Sequence, residues 1–285
     1  MADDTVSSQP ADSGASLKKK GGSKNLMIIA GAVVIVVALI AVVVLGGFLG
    51  GADEYDNALD RIQSRGQLIV GTQVPYPPFE NINPDTGELE GIDIEIMYYI
   101  GEELGVDIIF TPMAFDPLFA AVQSGQIDCA ISSVTITAER DLVNDFSRPY
   151  YIANQAVLVK EDSSIATLED LNASDLVSQL GTTGEGWVDD NLSPQSHTPL
   201  DDVPAAVLGV ENGLYDAFIV DTPVANKYAN DSSYNLKVAF IIFTYESYGV
   251  LLPQGEPELK AAVDAAIQKM IDEGLMEELF AEWLD

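Results

Sequence analysis

Ile127-Asp128-Cys129-Ala130-Ile131-Ser132-Ser133-Val134-Thr135-Ile136-Thr137-Ala138-Glu139-Arg140 is the stretch around which the chain is organised. Its first five residues read as a short buried strand. Hydroxyl side chains follow, and Ala138-Glu139-Arg140 opens a short helix with Thr137 as its N-cap. A strand that ends in hydroxyls beside free helix N–H groups forms an anion cradle, because those donors point outward at a ligand. Arg140 adds a planar, two-pronged partner for a carboxylate. A plainer reading competes: the hydroxyls cap the helix, and Arg140 pairs with Asp141 or Asp145 at the surface.

On either side the pattern alternates. Residues 67–71 read as a strand, and Ile92, Ile96, Tyr99, Ile100 and Leu104 recur at helical spacing. A strand over 106–110 and an amphipathic helix over 115–124 lead into the opening stretch. Strands over 156–159, 176–180, 217–220, 236–242 and 248–252 follow, separated by helices. The alternation predicts an α/β fold with a mostly parallel sheet covered by helices on both faces. No Pro/Gly/Ser linker separates two globular halves, so two lobes joined by short strands are expected.

The net charge is −32, from 13 basic and 45 acidic residues, and it is uneven. Lys18, Lys19, Lys20, Lys24, Asp3, Asp4 and Asp12 precede the apolar run 26–50, which leaves nine basic and 42 acidic residues beyond it, a net −33. Such a surface repels nucleic acid and anionic lipid. It also suits a high-salt habitat, where an acidic coat is screened. The single cysteine, Cys129, reads as a small core residue, and the single histidine, His197, falls in a polar loop. So little Cys and His argues against a transition-metal site.

Residues 1–25 have little to bury and read as a disordered cytoplasmic tail. From Leu26 to Gly50 every residue is apolar or glycine, long enough to cross a hydrocarbon core of about 30 Å as a helix. Lysines before the run and acids after it place the tail in the cytoplasm and the large domain outside. A cleaved signal peptide, cut near Gly51-Ala52, is the alternative; its apolar core is normally about 7 to 15 residues, which favours an uncleaved single-pass anchor.

In open α/β sheets ligands bind beyond the carboxyl ends of the strands. Those ends collect Tyr76, Phe79, Phe115, Ser133, Thr135, Arg140, the Gly181-Thr182-Thr183-Gly184 loop and Asp221. A free amino acid needs such parts: Arg140 and the Ser/Thr backbone for the α-carboxylate, Asp221 for the α-ammonium, and aromatics for the side chain. Duller roles stay open. Asp221 before Thr222-Pro223 is a good N-cap, Tyr76 can pack on Pro77 or Pro78, and Phe115 can be core. A phosphate loop at Gly181–Gly184 is a weak reading, since no lysine follows it.

Six segments occur in order: Val70-Gly71-Thr72 with Tyr76-Pro77-Pro78-Phe79; Gly91-Ile92-Asp93; Thr135 to Arg140; Asp145-Phe146-Ser147-Arg148-Pro149-Tyr150-Tyr151; Gly181-Thr182-Thr183-Gly184; and Asp216-Ala217 to Asp221. Together they resemble the family 3 extracellular solute-binding proteins, which serve polar amino-acid ABC transporters. The resemblance runs from about Asn57 to the end.

It implies a two-lobed, type II periplasmic-binding-protein clamshell, here preceded by one N-terminal transmembrane helix. The implied division is a tail over 1–25, an anchor over 26–50, one lobe from 51–153 plus 247–285, and a second from 154–246, with crossover strands over 151–157 and 244–249. By motif position Arg140 binds the carboxylate, Ser133 and Thr135 the same end, and Asp221 the ammonium. Thr183 contributes from the second lobe, and Tyr76 and Phe115 sandwich the side chain. Gln73 stands where relatives that bind basic amino acids often have Asp, and Gln179 where some glutamine-binding relatives have Lys. Both departures point to a polar, uncharged ligand. The expected partners are an amino acid, an ABC permease and the membrane, with the protein a monomer that uses no cofactor, metal or catalytic residue. The same fold also hosts dehydratase-like lyases and sensor domains. A lyase would have only Asp221 and Glu80 as candidate proton donors or acceptors. A sensor would need a signalling partner for its short tail.

Overall fold

The computed structural model describes residues 55–284; the tail and anchor readings lie outside the described residues. Among the described residues no helix is long and apolar enough to cross a membrane.

Helix α1 (Ala58–Arg65) begins where the Asn57 side chain accepts from Asp60 N, and it stops at Gly66, whose φ of 71° suits a residue without Cβ. Strand β1 (Gln67–Thr72) follows, then a small hairpin of β2 (Asn81–Ile82) and β3 (Leu89–Glu90) around the Asn83–Gly87 turn. Helix α2 (Ile92–Leu104), β4 (Asp107–Pro112), α3 (Pro117–Gln123) and β5 (Cys129–Ala130) lead to the short α4 (Ala138–Asp141). The Thr137 side chain caps α4 by accepting from Arg140 N. After β6 (Asp145–Phe146) the chain passes into β7 (Tyr151–Lys160), α5 (Leu168–Leu171), β8 (Asp175–Gln179), α6 (Thr183–Asn191) and β9 (Ser196–Leu200). Then come α7 (Val203–Glu211), β10 (Ala217–Asp221), α8 (Thr222–Asn230) and β11 (Leu236–Tyr248). The chain finishes with β12 (Leu251–Leu252), α9 (Pro257–Asp272) and α10 (Leu275–Leu284).

These strands form two five-stranded sheets, ordered β4-β1-β5-β12-β6 and β11-β7-β10-β8-β9. The prediction of a mostly parallel sheet needs correcting. In each sheet two pairings are parallel and two antiparallel. The βαβ crossovers supply the parallel pairs. Strands β7, β11 and β12 belong to segments that pass between the sheets and enter in the opposite sense. Those two passages run side by side: Tyr151 pairs with Tyr248, Tyr150 N donates to Tyr248 O at 2.9 Å, and Ser147 N to Val250 O at 2.9 Å.

Two further readings change. His197 lies in β9, not in a loop, with its ring 2.8 Å from Ser178 Oγ and 2.9 Å from Asp189. The strands expected over 236–242 and 248–252 are instead one long β11, irregular between Ile242 and Glu246, and the separate β12.

Each sheet buries its apolar residues against helices. Leu68 and Val70 of β1 belong to the same buried core as Ile96 and Ile100 of α2, and Val157 and Ile219 of β7 and β10 share a second with Val188 of α6. Each such side chain contributes roughly 1.5–3 kcal/mol of burial. The predicted face of α9, Leu259, Val263, Ala266, Ile267 and Met270, is buried as a unit.

Candidate functional site

A narrow cavity, with room inside for little more than a water molecule, lies where the ends of the strands of the two sheets meet. Its wall holds Gln73, Tyr76, Phe115, Ser133, Thr135, Arg140, Gln179, Thr183 and Asp221, together with Ser132 and Thr182. The structure therefore brings all nine candidate residues to one place. Local chemistry delivers them. Gln73 follows β1, Ser133 and Thr135 follow β5, Thr183 opens α6, and Asp221 ends β10.

Arg140 turns inward instead of pairing with Asp141 or Asp145. Its Nη1 donates to Thr135 O at 2.7 Å and its Nη2 to Gly181 O at 2.9 Å. The guanidinium lies over Phe115 and Phe119, 5.4 and 4.9 Å from the ring centroids, within cation–π range. Burial lowers its pKa to about 10, while Glu246 and Asp221 pull the other way, so it remains a cation at neutral pH. Phe115 serves both readings: it is buried in an apolar cluster and also lines the cavity.

Asp221 precedes α8 but its side chain does not cap that helix. It accepts from Tyr76 Oη at 2.7 Å, Tyr248 Oη at 2.5 Å and Gln155 Nε2 at 2.5 Å. Burial, then repulsion from Glu246, raises its pKa to about 6, and these three hydrogen bonds oppose the rise. Tyr76 is thus a partner of Asp221 and does more than pack on the prolines beside it. Gln73 accepts a hydrogen bond from Gln179 and donates through Nε2 to Asp201 O at 3.2 Å. The two amides tie one side of the cavity to the other.

Reading the sequence missed Glu246. This buried carboxylate on β11 accepts from Thr135 Oγ1 at 2.8 Å, from Gln155 Nε2 at 3.0 Å and from Thr183 Oγ1. It joins Thr135, which follows β5, to Thr183, which opens α6. Its signal was an acid between two tyrosines in a strand flanked by apolar residues. Tyr248 and Gln155 carried no local signal, because only strand pairing brings them to Asp221. Glu80, a candidate proton donor for a lyase, does not line the cavity and instead accepts from Ser132 Oγ at 2.6 Å. Among the described residues no cluster of His, Cys, Asp and Glu could hold a metal ion.

This arrangement offers one cation, an acid able to face a cation, hydroxyls and two aromatic surfaces. Comparison with known proteins identifies relatives along most of the chain. The L-cystine-binding protein TcyJ of Escherichia coli strain K12 is 33% identical over 234 residues, covering 81% of this chain and 87% of that protein. The amino acid ABC transporter substrate-binding protein AbpA of Streptococcus pneumoniae, solved with L-arginine bound, has a TM-score of 0.74 and 34% identity over 78% of this chain and 96% of its own. The ancestral amino acid-binding protein AncCDT-1, described as a precursor of cyclohexadienyl dehydratase, has a TM-score of 0.74 and 35% identity, covering 80% of this chain and 100% of its own. These likenesses support the two-lobed periplasmic-binding-protein fold. Residues 68–285 match the family described as bacterial extracellular solute-binding proteins, family 3, and the chain belongs to that family.

Proposed function

We propose that this protein captures a free amino acid outside the cytoplasm and hands it to an ABC permease. The observation that carries this reading is the polarity of the cavity: among the described residues Arg140 is the one cation in its wall, and the donors that hold the acid Asp221 there are neutral. A zwitterion supplies the missing partner to each. Arg140, Ser133, Thr135 and Thr183 hold the α-carboxylate, Asp221 holds the α-ammonium, and Tyr76 and Phe115 flank the side chain. Gln73 and Gln179 face the far end of the ligand, where two amides favour a polar, uncharged group. The relatives named above bind different amino acids by their names, cystine in one and arginine in another, so this specificity is this chain's own.

The lobes divide as 51–153 plus 247–285 and 154–246, and closure brings them together on the ligand. The run over 26–50 anchors a monomer to the cell membrane with the large domain outside.

A dehydratase-like lyase is the second reading, favoured by the likeness to a precursor of cyclohexadienyl dehydratase. It is the weaker one. Catalysis needs a proton donor or acceptor at the reacting atom, and of the two candidate acids only Asp221 lines the cavity, which leaves no second acid or base beside it.

The test is a thermal-shift screen of the protein against the twenty amino acids and several carboxylic acids, at high and low salt. A ligand that binds only the folded form raises Tm by mass action. A shift with one or two polar amino acids supports the receptor. A shift only with a carboxylic acid that is then turned over moves the assignment to the lyase.

A further inference from the structure

Behind the cavity wall sit two acids that the ligand reading does not use. Glu80 follows the Tyr76–Phe79 loop, Asp93 lies in the first turn of α2, and both are fully buried. The groups facing them are Ser132, the Ser133 N–H and Tyr150, with Tyr76 and Asp221 beyond; no basic side chain is among them. Ser132 Oγ donates to Glu80 Oε1 at 2.6 Å and accepts from Gln73 N at 3.1 Å. Asp93 Oδ2 accepts from Ser133 N at 2.7 Å. Among the described residues, Glu80 Oε2 and Asp93 Oδ1 meet no donor in hydrogen-bond geometry, and the Tyr150 hydroxyl lies beside Asp93. The backbone brings the two carboxyl groups to one place: Asp93 N donates to Phe79 O at 2.9 Å, next to Glu80, and the adjacent residues Ser132 and Ser133 each bond to one of the two acids. Two ionised carboxylates touching in a dry interior repel strongly, and one proton between them turns that repulsion into a hydrogen bond.

We propose that Glu80 and Asp93 share one proton in the folded protein, and that this clamp positions the Gln73 N–H and the Ser132–Ser133 corner of the cavity. Its meaning for ligand capture rests on the function proposed above; the shared proton does not. Three observations bear on it. Burial raises both acids above their ordinary values, Asp93 to about 7 and Glu80 well above its usual range, with repulsion from Asp93 adding to Glu80. Ser133 has φ of 51°, a left-handed conformation that a residue with a Cβ keeps only when its surroundings hold it there. Asp93 supplies that hold. Glu80 reaches the other edge of the cavity, since Ser132 relays its hydrogen bond to the backbone of Gln73. Both acids are therefore positioning residues.

The test compares the full-length protein with Glu80→Gln, whose amide puts an N–H where the shared proton lies and keeps an oxygen for Ser132. Unfolded carboxyls release their protons near pH 4. The folded pair keeps one to higher pH, so its stabilising contribution is lost as pH rises from there through the folded value. In urea unfolding at pH 5, 6, 7 and 8, the folding constant of Glu80→Gln relative to wild type should climb by up to about tenfold per pH unit until the pair deprotonates. A ratio that stays constant across that range overturns the shared proton. Asp93→Asn places the amide on the other side and should give the same climb, so the test survives if one variant does not fold. Hydrogen exchange reads the positioning role. Glu80→Gln should keep the Gln73 and Ser133 amides as protected as in wild type, and Glu80→Ala should speed exchange at both by at least tenfold. Unchanged exchange in Glu80→Ala overturns that role. Neither readout needs a ligand: a climbing ratio in a protein that binds no amino acid would remove the receptor assignment and leave the clamp.

Discussion

Replacing Glu246 by alanine tests how the two sides of the cavity are held together. The carboxylate accepts three hydrogen bonds, from Thr135, Thr183 and Gln155. A hydrogen bond to a charged acceptor contributes about 1.5–3 kcal/mol, so the lower bound for three is about 4.5 kcal/mol. Removing Glu246 also relieves its repulsion of Asp221. Raising a carboxyl from 3.8 to about 6 corresponds to about 3 kcal/mol, and burial is the largest cause, so relief is about 1 kcal/mol. The expected net loss is at least about 3.5 kcal/mol. Urea unfolding measures it, with an unchanged m-value to show that the folded and unfolded surfaces are the same. Glu246→Gln keeps one acceptor and gains a donor that either threonine oxygen can accept, so it should lose about 1 kcal/mol. A Glu246→Ala midpoint within about 0.5 kcal/mol of wild type would refute the reasoning, because the bonds would then be replaceable by water.

Further outcomes follow from the same geometry. Arg140→Ala should weaken binding of the amino acid identified by the thermal screen by at least a hundredfold in titration calorimetry, with circular dichroism unchanged, since removing one partner of a buried charge pair costs about 2–5 kcal/mol. Asp221 makes binding and stability run in opposite directions with pH. Its folded value of about 6 lies above the usual 3.8, so its stabilising contribution is present below about pH 4 and lost as pH rises to 6, whereas ammonium binding needs the ionised form and should fall about tenfold per pH unit below 6. Asp221→Asn should remove the binding slope and Asp221's share of the stability slope, leaving the share of the Glu80–Asp93 pair, measured by melting and calorimetry over pH 4–7. Cys129 is buried, and burial pushes its thiol well above the usual range. A thiol reagent should label it at least a hundredfold more slowly in the native protein than in urea.

Much of this was written locally in the chain. Helix ends at Asn57, Gly66, Gly105 and Thr137 follow from capping chemistry, which needs only a few neighbouring residues. The candidate site was legible because strand ends are where open α/β sheets place ligands, so Ser133, Arg140, Thr183 and Asp221 could be gathered without knowing the strand order. What escaped was set by pairing between distant segments. Glu246 and Tyr248 reach Asp221 and Thr135 only through the register of β11 on β7. Strand β9 was hidden because Ser196, His197, Thr198 and Pro199 show neither apolar alternation nor β-branched enrichment; its pairing with β8 holds it in the sheet. Asp221 illustrates the limit of local rules. The sequence around it describes a helix cap, and the fold takes its side chain elsewhere.

The two passages between the sheets form a hydrogen-bonded ribbon, because Ser147 and Tyr150 bond to Val250 and Tyr248 as they run past each other. Mechanically such a ribbon is anisotropic. Sliding one strand along the other would break the ladder bond by bond, whereas bending it across its width leaves every bond intact. A strand pair built this way is a leaf spring in its mechanics: it would let the sheets rotate about one axis while resisting displacement along the others.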